Sequence, residues 1–157
     1  MDIDTKFLDP VVTTVLSVFK TMLQEEPDMH GAEIKQDEVA RGIVTGFMTL
    51  ESEKAMGSMA ITFSKAVVAD MAKKMLNADL QEIDEVAKDL TGEMANIIVG
   101  GAKNIFENEG YNFSMSLPEV FTGKDHKIEH RFHGETILVP LTVGAGDFFL
   151  EINFNEQ

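Results

Sequence analysis

Asp89-Leu90-Thr91-Gly92-Glu93-Met94-Ala95-Asn96-Ile97-Ile98-Val99-Gly100-Gly101-Ala102-Lys103-Asn104-Ile105-Phe106 is the stretch around which the chain is organised. It reads as the second half of a long helix that starts near Glu82 and frays near Glu109, where Gly110 is the natural stop. Ile83, Val86, Leu90, Met94, Ile97, Gly101 and Ile105 recur at a helical period. On a wheel of about 100° per residue they fall within about 60° of Leu90. A neighbouring stripe is polar or bare: Glu82, Glu85, Asp89, Glu93, Asn96, Gly100 and Lys103. Glu93 and Asn96 are three apart, so their side chains sit together, with Asn96 about 120° from the centre of the apolar stripe. Each interior glycine costs about 1 kcal/mol relative to alanine. Gly101 points to the core and predicts close packing on a sheet. Gly92 and Gly100 point elsewhere; a partner's close approach or a helix break near Gly92 would account for them.

The run Gly-Glu-x-x-Asn-Ile-Ile-x-Gly-x-Ala-Lys beginning at Gly92, followed by Phe-x-x-Ser-Leu-Pro-x-Val beginning at Phe113, resembles the CheC/CheX/FliY family, and within it the CheX branch. Glu-x-x-Asn alone is a weak signal, since Glu109 and Asn112 repeat the spacing at a helix end. The longer string is far more specific, and the similarity extends over most of the chain. The resemblance implies an α+β domain of CheC-like fold, with an antiparallel sheet packed by two long helices and one shorter one. It implies a phosphatase acting on a phosphorylated response-regulator receiver, with CheY as the receiver it points to. It assigns Asn96 to orienting the attacking water and Glu93 to binding the receiver's lysine. An amide suits the first task, because it both accepts and donates a hydrogen bond. No cofactor is implied for this chain; magnesium would belong to the receiver. The resemblance also implies a homodimer. A non-catalytic interaction module related to flagellar switch proteins is the alternative, and a small-molecule sensory domain is a weaker one.

Composition narrows the classes. The 157 residues suit one domain, 1–157. Thirteen Lys and Arg stand against 27 Asp and Glu, a net charge of −14. That excludes a nucleic-acid backbone as partner and disfavours an anionic membrane surface. The absence of cysteine excludes disulfides and thiolate chemistry. Met1-Asp2-Ile3-Asp4 is acidic where a signal peptide is basic, and no apolar run approaches 18 residues. The expectation is a cytoplasmic protein.

In chain order, Asp9 and Pro10 open a first helix that runs to about Gln24, with Val11, Val15, Val18, Phe19 and Met22 inward. Val11 and Thr14 stand where the CheC branch carries a second Glu-x-x-Asn pair; its absence matches the CheX branch. Glu33–Gln36, 40–50 and 56–63 read as strands, the last two as a hairpin. Ser64 caps a helix over 65–76, with Val68, Met71, Ala72 and Met75 inward. Residues 113–121, interrupted by Pro118, 136–143, interrupted by Pro140, and 148–154 read as further strands, with the prolines marking edges or bulges. Ile128-x-His130-x-Phe132 alternates like a strand. That alternation would separate His126 and His130 from Glu129 and His133, so the group reads as a polar hairpin rather than a metal site. Glu25-Glu26 and Glu51-Ser52-Glu53 read as solvated acidic loops.

Overall fold

A computed structural model describes residues 5–156; the acidic start over residues 1–4 lies outside them. Alternation in β3 (Val44–Glu51) and β4 (Ala55–Phe63) makes a hairpin with Val44 opposite Phe63 and Glu51 opposite Met56. Beside it run β7 (Ile137–Val143) and β8 (Gly146–Glu156), turned at Gly144-Ala145. β8 pairs with β4 over nine residue pairs, joining the two hairpins. Four short strands complete an antiparallel sheet: β1 (Asp28–Met29) and β2 (Glu33–Ile34) on β7, β5 (Ser114–Met115) and β6 (Glu119–Thr122) on β3. The prolines fall where a missing N–H does no harm. Pro118 lies between β5 and β6. Pro140 faces the gap between β1 and β2, its carbonyl accepting from His30 N at 2.9 Å.

The three helices of the described residues cover one face of this sheet: α1 (Leu8–Leu23), α2 (Lys65–Leu76) and α3 (Glu85–Asn108). Val44, Met48 and Leu50 of β3, Met59, Ile61 and Phe63 of β4, and Phe148, Leu150 and Ile152 of β8 meet the buried stripes of the helices in one core. Ser64 caps α2 by accepting from Val67 N at 3.2 Å. α3 seats closely on β3 because Gly46 has no side chain: a Cβ there would lie 2.9 Å from Ala95 Cβ. The architecture is the α+β domain expected, an antiparallel sheet packed with two long helices and a shorter one.

Several boundaries differ from the sequence reading. α3 starts at Glu85, not near Glu82, because Asp84 Oδ1 accepts from Ala87 N at 3.1 Å and closes the first turn. α1 starts at Leu8, with Asp9 and Pro10 inside its first turn, where a proline costs nothing because its N–H would be unpaired anyway. The buried face of α3 is also rotated from the stripe of large aliphatic residues. Val86 is exposed and Ile97 half-buried, while Ala87, Thr91, Ala95, Ile98, Val99 and Ala102 are buried. Small side chains carry these contacts because α3 is approached by both the sheet and α1. Gly101 packs on α1 rather than on the sheet, with Thr14 Cγ2 2.6 Å from where its Cβ would stand.

The opposite face of the sheet is covered by chain rather than helix. Residues 35–41 and 123–136 lie over it, and Phe47, Ala60, Ala40 and Ile128 form a small second core there. Residues 128–132 are not a strand; the chain pairs only at the isolated bridge between Val39 and Lys127, where Ile128 N donates to the Glu38 carbonyl at 2.7 Å and Ala40 N to the His126 carbonyl at 2.8 Å. Beyond that bridge the segment is held by side chains. His126 bonds Thr45 Oγ1 at 2.6 Å and the Gly123 carbonyl at 2.7 Å. His130 bonds Ser58 Oγ at 2.6 Å and Glu151 Oε1 at 3.0 Å. The other oxygen of Glu151 takes Lys35 Nζ at 2.7 Å.

Candidate functional site

The rotation of the buried face places Glu93 and Asn96 better than the apolar stripe does. The buried arc of α3 centres near Thr91 and Ile98. At about 100° per residue, Glu93 and Asn96 each lie about 150° from that centre, on either side of the outward direction. Both are exposed. Their neighbours are engaged elsewhere: Lys88 with Glu85 at 3.3 Å and Lys103 with Glu107 at 2.7 Å. Among the described residues the side chains of Glu93 and Asn96 have no hydrogen-bond or ion-pair partner. A carboxylate and an amide thus stand side by side on a rigid helix with their polar atoms free for another molecule.

They open onto a cleft of about 450 Å³ lined by Lys88, Asp89, Gly92, Glu93 and Asn96 of α3 and by Leu117, Pro118 and Val120. The second wall is the connector from β5 to β6. Gly92 faces this wall at its foot: a Cβ there would lie 3.3 Å from Val120 Cγ2 of β6, a tight fit, and 3.9 Å from Pro118, an ordinary contact. So Gly92 marks neither a helix break nor a partner's approach; it faces the protein's own β6. Gly100 is different, with nothing within 4 Å of its missing Cβ, and leaves open surface one turn beyond Asn96. Two carboxylates, Asp89 and Glu93, outnumber the one cation of the cleft, Lys88, which suits a cationic partner group.

The remaining sequence candidates lie elsewhere. Val11 and Thr14 of α1 are buried, and the Thr14 hydroxyl donates to the Pro10 carbonyl at 2.8 Å, so α1 presents no second polar pair there. His126 and His130 face the far side of the sheet, away from α3, while His133 and Glu129 are exposed. Glu25 is not merely solvated. It ties the end of α1 to Lys74 of α2 and accepts from Gly144 N at 3.2 Å; the Lys74 bond holds its carboxyl below the ordinary range. Sequence reasoning missed the Leu117 wall of the cleft, though Ser-Leu-Pro stands in the quoted motif. It also missed the Lys35–Glu151 pair, whose one signal is a lone acid between Leu150 and Ile152 in a strand.

The family described as chemotaxis phosphatase CheX matches residues 44–142. A CheC-like superfamily protein from Shewanella sp. PV-4 is 35% identical, with a TM-score of 0.90, covering 98% of this chain and 99% of that one. The chemotaxis protein CheX from Vibrio vulnificus is 35% identical, with a TM-score of 0.88, covering 96% and 99%. A CheX–CheY–BeF3–Mg2+ complex from Borrelia burgdorferi contains a chain that is 21% identical, with a TM-score of 0.78, covering 98% and 100%; that likeness concerns the fold. No curated protein matches the chain.

Proposed function

The chain belongs to the CheX family of chemotaxis phosphatases, and from that premise we propose that it hydrolyses the phosphoaspartate of a CheY-like response-regulator receiver. The observation that carries this reading is the exposed pair on α3: Glu93 and Asn96, adjacent, unpartnered and open to one cleft. In the reaction a water oxygen bonds to phosphorus as the bond from phosphorus to the aspartyl oxygen breaks. The carboxylate keeps the electron pair and inorganic phosphate leaves. The partner brings its own magnesium and lysine, so what this chain adds is position. The Asn96 amide holds the water in line by accepting from it and donating to it or to the phosphoryl group. Glu93 pairs with the receiver's lysine and fixes the register, and opposite charges also speed encounter.

On this reading the protein works in the cytoplasm, where its receiver is. We further propose a homodimer that meets near the short edge strands, since an unprotected edge invites pairing. Sedimentation giving a monomer mass near 17.4 kDa at micromolar concentration would contradict the dimer. The phosphatase reading is tested by mixing the protein with an acetyl-phosphate-charged receiver and following phosphate release. Faster release than from the receiver alone is the expected result; tight binding without acceleration contradicts it and favours a scaffold.

A further inference from the structure

Ser116-Leu117-Pro118 has no part in the chemistry above, yet Leu117 is the most exposed large apolar side chain among the described residues, at 86%. Its exposure is not that of a loose loop. Ser116 is fixed to the edge of β3 twice, its N–H donating to the Thr49 carbonyl at 3.0 Å and its Oγ accepting from Thr49 N at 2.9 Å. Pro118 restricts the backbone of the residue before it to extended conformations. On the other side Val120 and Pro118 rest on the bare backbone of Gly92. An apolar side chain is thus held out into water on a braced segment, where it adds next to nothing to folding because almost none of its surface is removed from water.

Leu117 lines the same cleft as Glu93 and Asn96. A molecule that brings a reacting group to Asn96 meets Leu117 on the way in. We propose that Leu117 is the apolar docking point for the phosphorylated receiver, seating against an apolar side chain on the receiver face that surrounds its acyl phosphate. This rests on the phosphatase reading above. The cleft then offers two unlike anchors on opposite walls, the anionic Glu93 on α3 and the apolar Leu117 on the connector. A receiver must match both, a lysine for one and an apolar side chain for the other. Leu117 adds affinity and leaves the alignment of the phosphoryl group to Glu93 and Asn96, and it selects among receivers that all share the lysine. Gly92 leaves room for the Val120 side chain at the foot of that wall, where a Cβ would lie 3.3 Å from Val120 Cγ2.

The experiment is a single-turnover titration of phospho-receiver with wild type, Leu117→Ser and Leu117→Met, beside binding of each to the beryllofluoride-charged receiver and a thermal melt. The expected result for Leu117→Ser is a half-saturating concentration and a Kd raised about tenfold or more, the usual effect of losing one buried leucine. The rate at saturation stays within about threefold of wild type, and the melting temperature is unchanged. Leu117→Met restores most of the affinity. Wild-type affinity in Leu117→Ser overturns the docking role while leaving the phosphatase reading intact. A lowered melting temperature overturns it too, since the side chain then serves the fold. A wild-type protein that neither binds nor accelerates overturns the phosphatase reading and this inference together.

Discussion

On the far face of the sheet Lys35, Glu151, His130 and Ser58 form a chain of bonds with every named group paired and buried. On the outward face of α3, Glu93 and Asn96 have the same kinds of atoms, and nothing in the described chain pairs with them. The difference is one of solvent. Burial of a charge is tolerated only with a partner in place, so the far-face network is closed by the protein itself. Water satisfies the α3 pair without holding it, so those groups can be handed to another molecule at small desolvation cost. A polar cluster therefore says little by its composition; its burial and its unspent bonds separate clasp from site.

Removing a member of the closed network should have the largest effect. Glu151→Ala strands the Lys35 ammonium, whose side chain is 1% exposed, and frees His130. A loss of about 3–5 kcal/mol is expected, the usual result of breaking a buried pair on one side. Chemical denaturation measures it. A loss under 1 kcal/mol would mean that water enters behind residues 123–136 and that the network is not closed.

The open pair should respond in the opposite sense. Glu93→Ala should leave the denaturation midpoint within error, and weaken binding of a beryllofluoride-charged receiver by about tenfold, between the values for rim and buried interfacial pairs. Binding should also become less sensitive to salt. Unchanged affinity would remove Glu93 from the docking surface.

The two adjacent glycines sharpen the contrast at smaller scale. Gly100→Ala adds a methyl group to open space and should stabilise α3 by up to about 1 kcal/mol. Gly101→Ala drives its methyl into Thr14, whose hydroxyl is already committed to the Pro10 carbonyl, so the helix-propensity gain is offset and net destabilisation is expected. Paired thermal melts decide it. Equal shifts for the two substitutions would contradict the close α1–α3 contact.

Much of this was legible in the chain. The period of α3, the Ser64 cap, the β3–β4 hairpin and the stop at Gly110 follow from local chemistry, and the structure reproduces them. Glu93 and Asn96 were legible as neighbours because spacing alone sets that. The true buried arc of α3 was not, because alanines and threonines are silent in a pattern of large aliphatic residues, and their burial depends on which element arrives. The reason for Gly92 lay 28 residues away at Val120, beyond any local rule. Residues 128–132 alternate like a strand but are fixed by the His130 side chain and one backbone bond from Ile128 to Glu38, and alternation cannot tell a ladder from a strap.

On the proposed mechanism Asn96 positions water and does nothing for the fold. Its most direct test is single-turnover loss of phospho-receiver with saturating Asn96→Ala, run beside a thermal melt. The predicted result is an acceleration reduced by about a hundredfold or more, as for other positioning groups. The melting temperature should be unchanged or slightly raised, because alanine is the better helix former and Asn96 is exposed. Near-normal acceleration from a folded Asn96→Ala protein would contradict the mechanism, and a collapsed melting temperature would make Asn96 a structural residue.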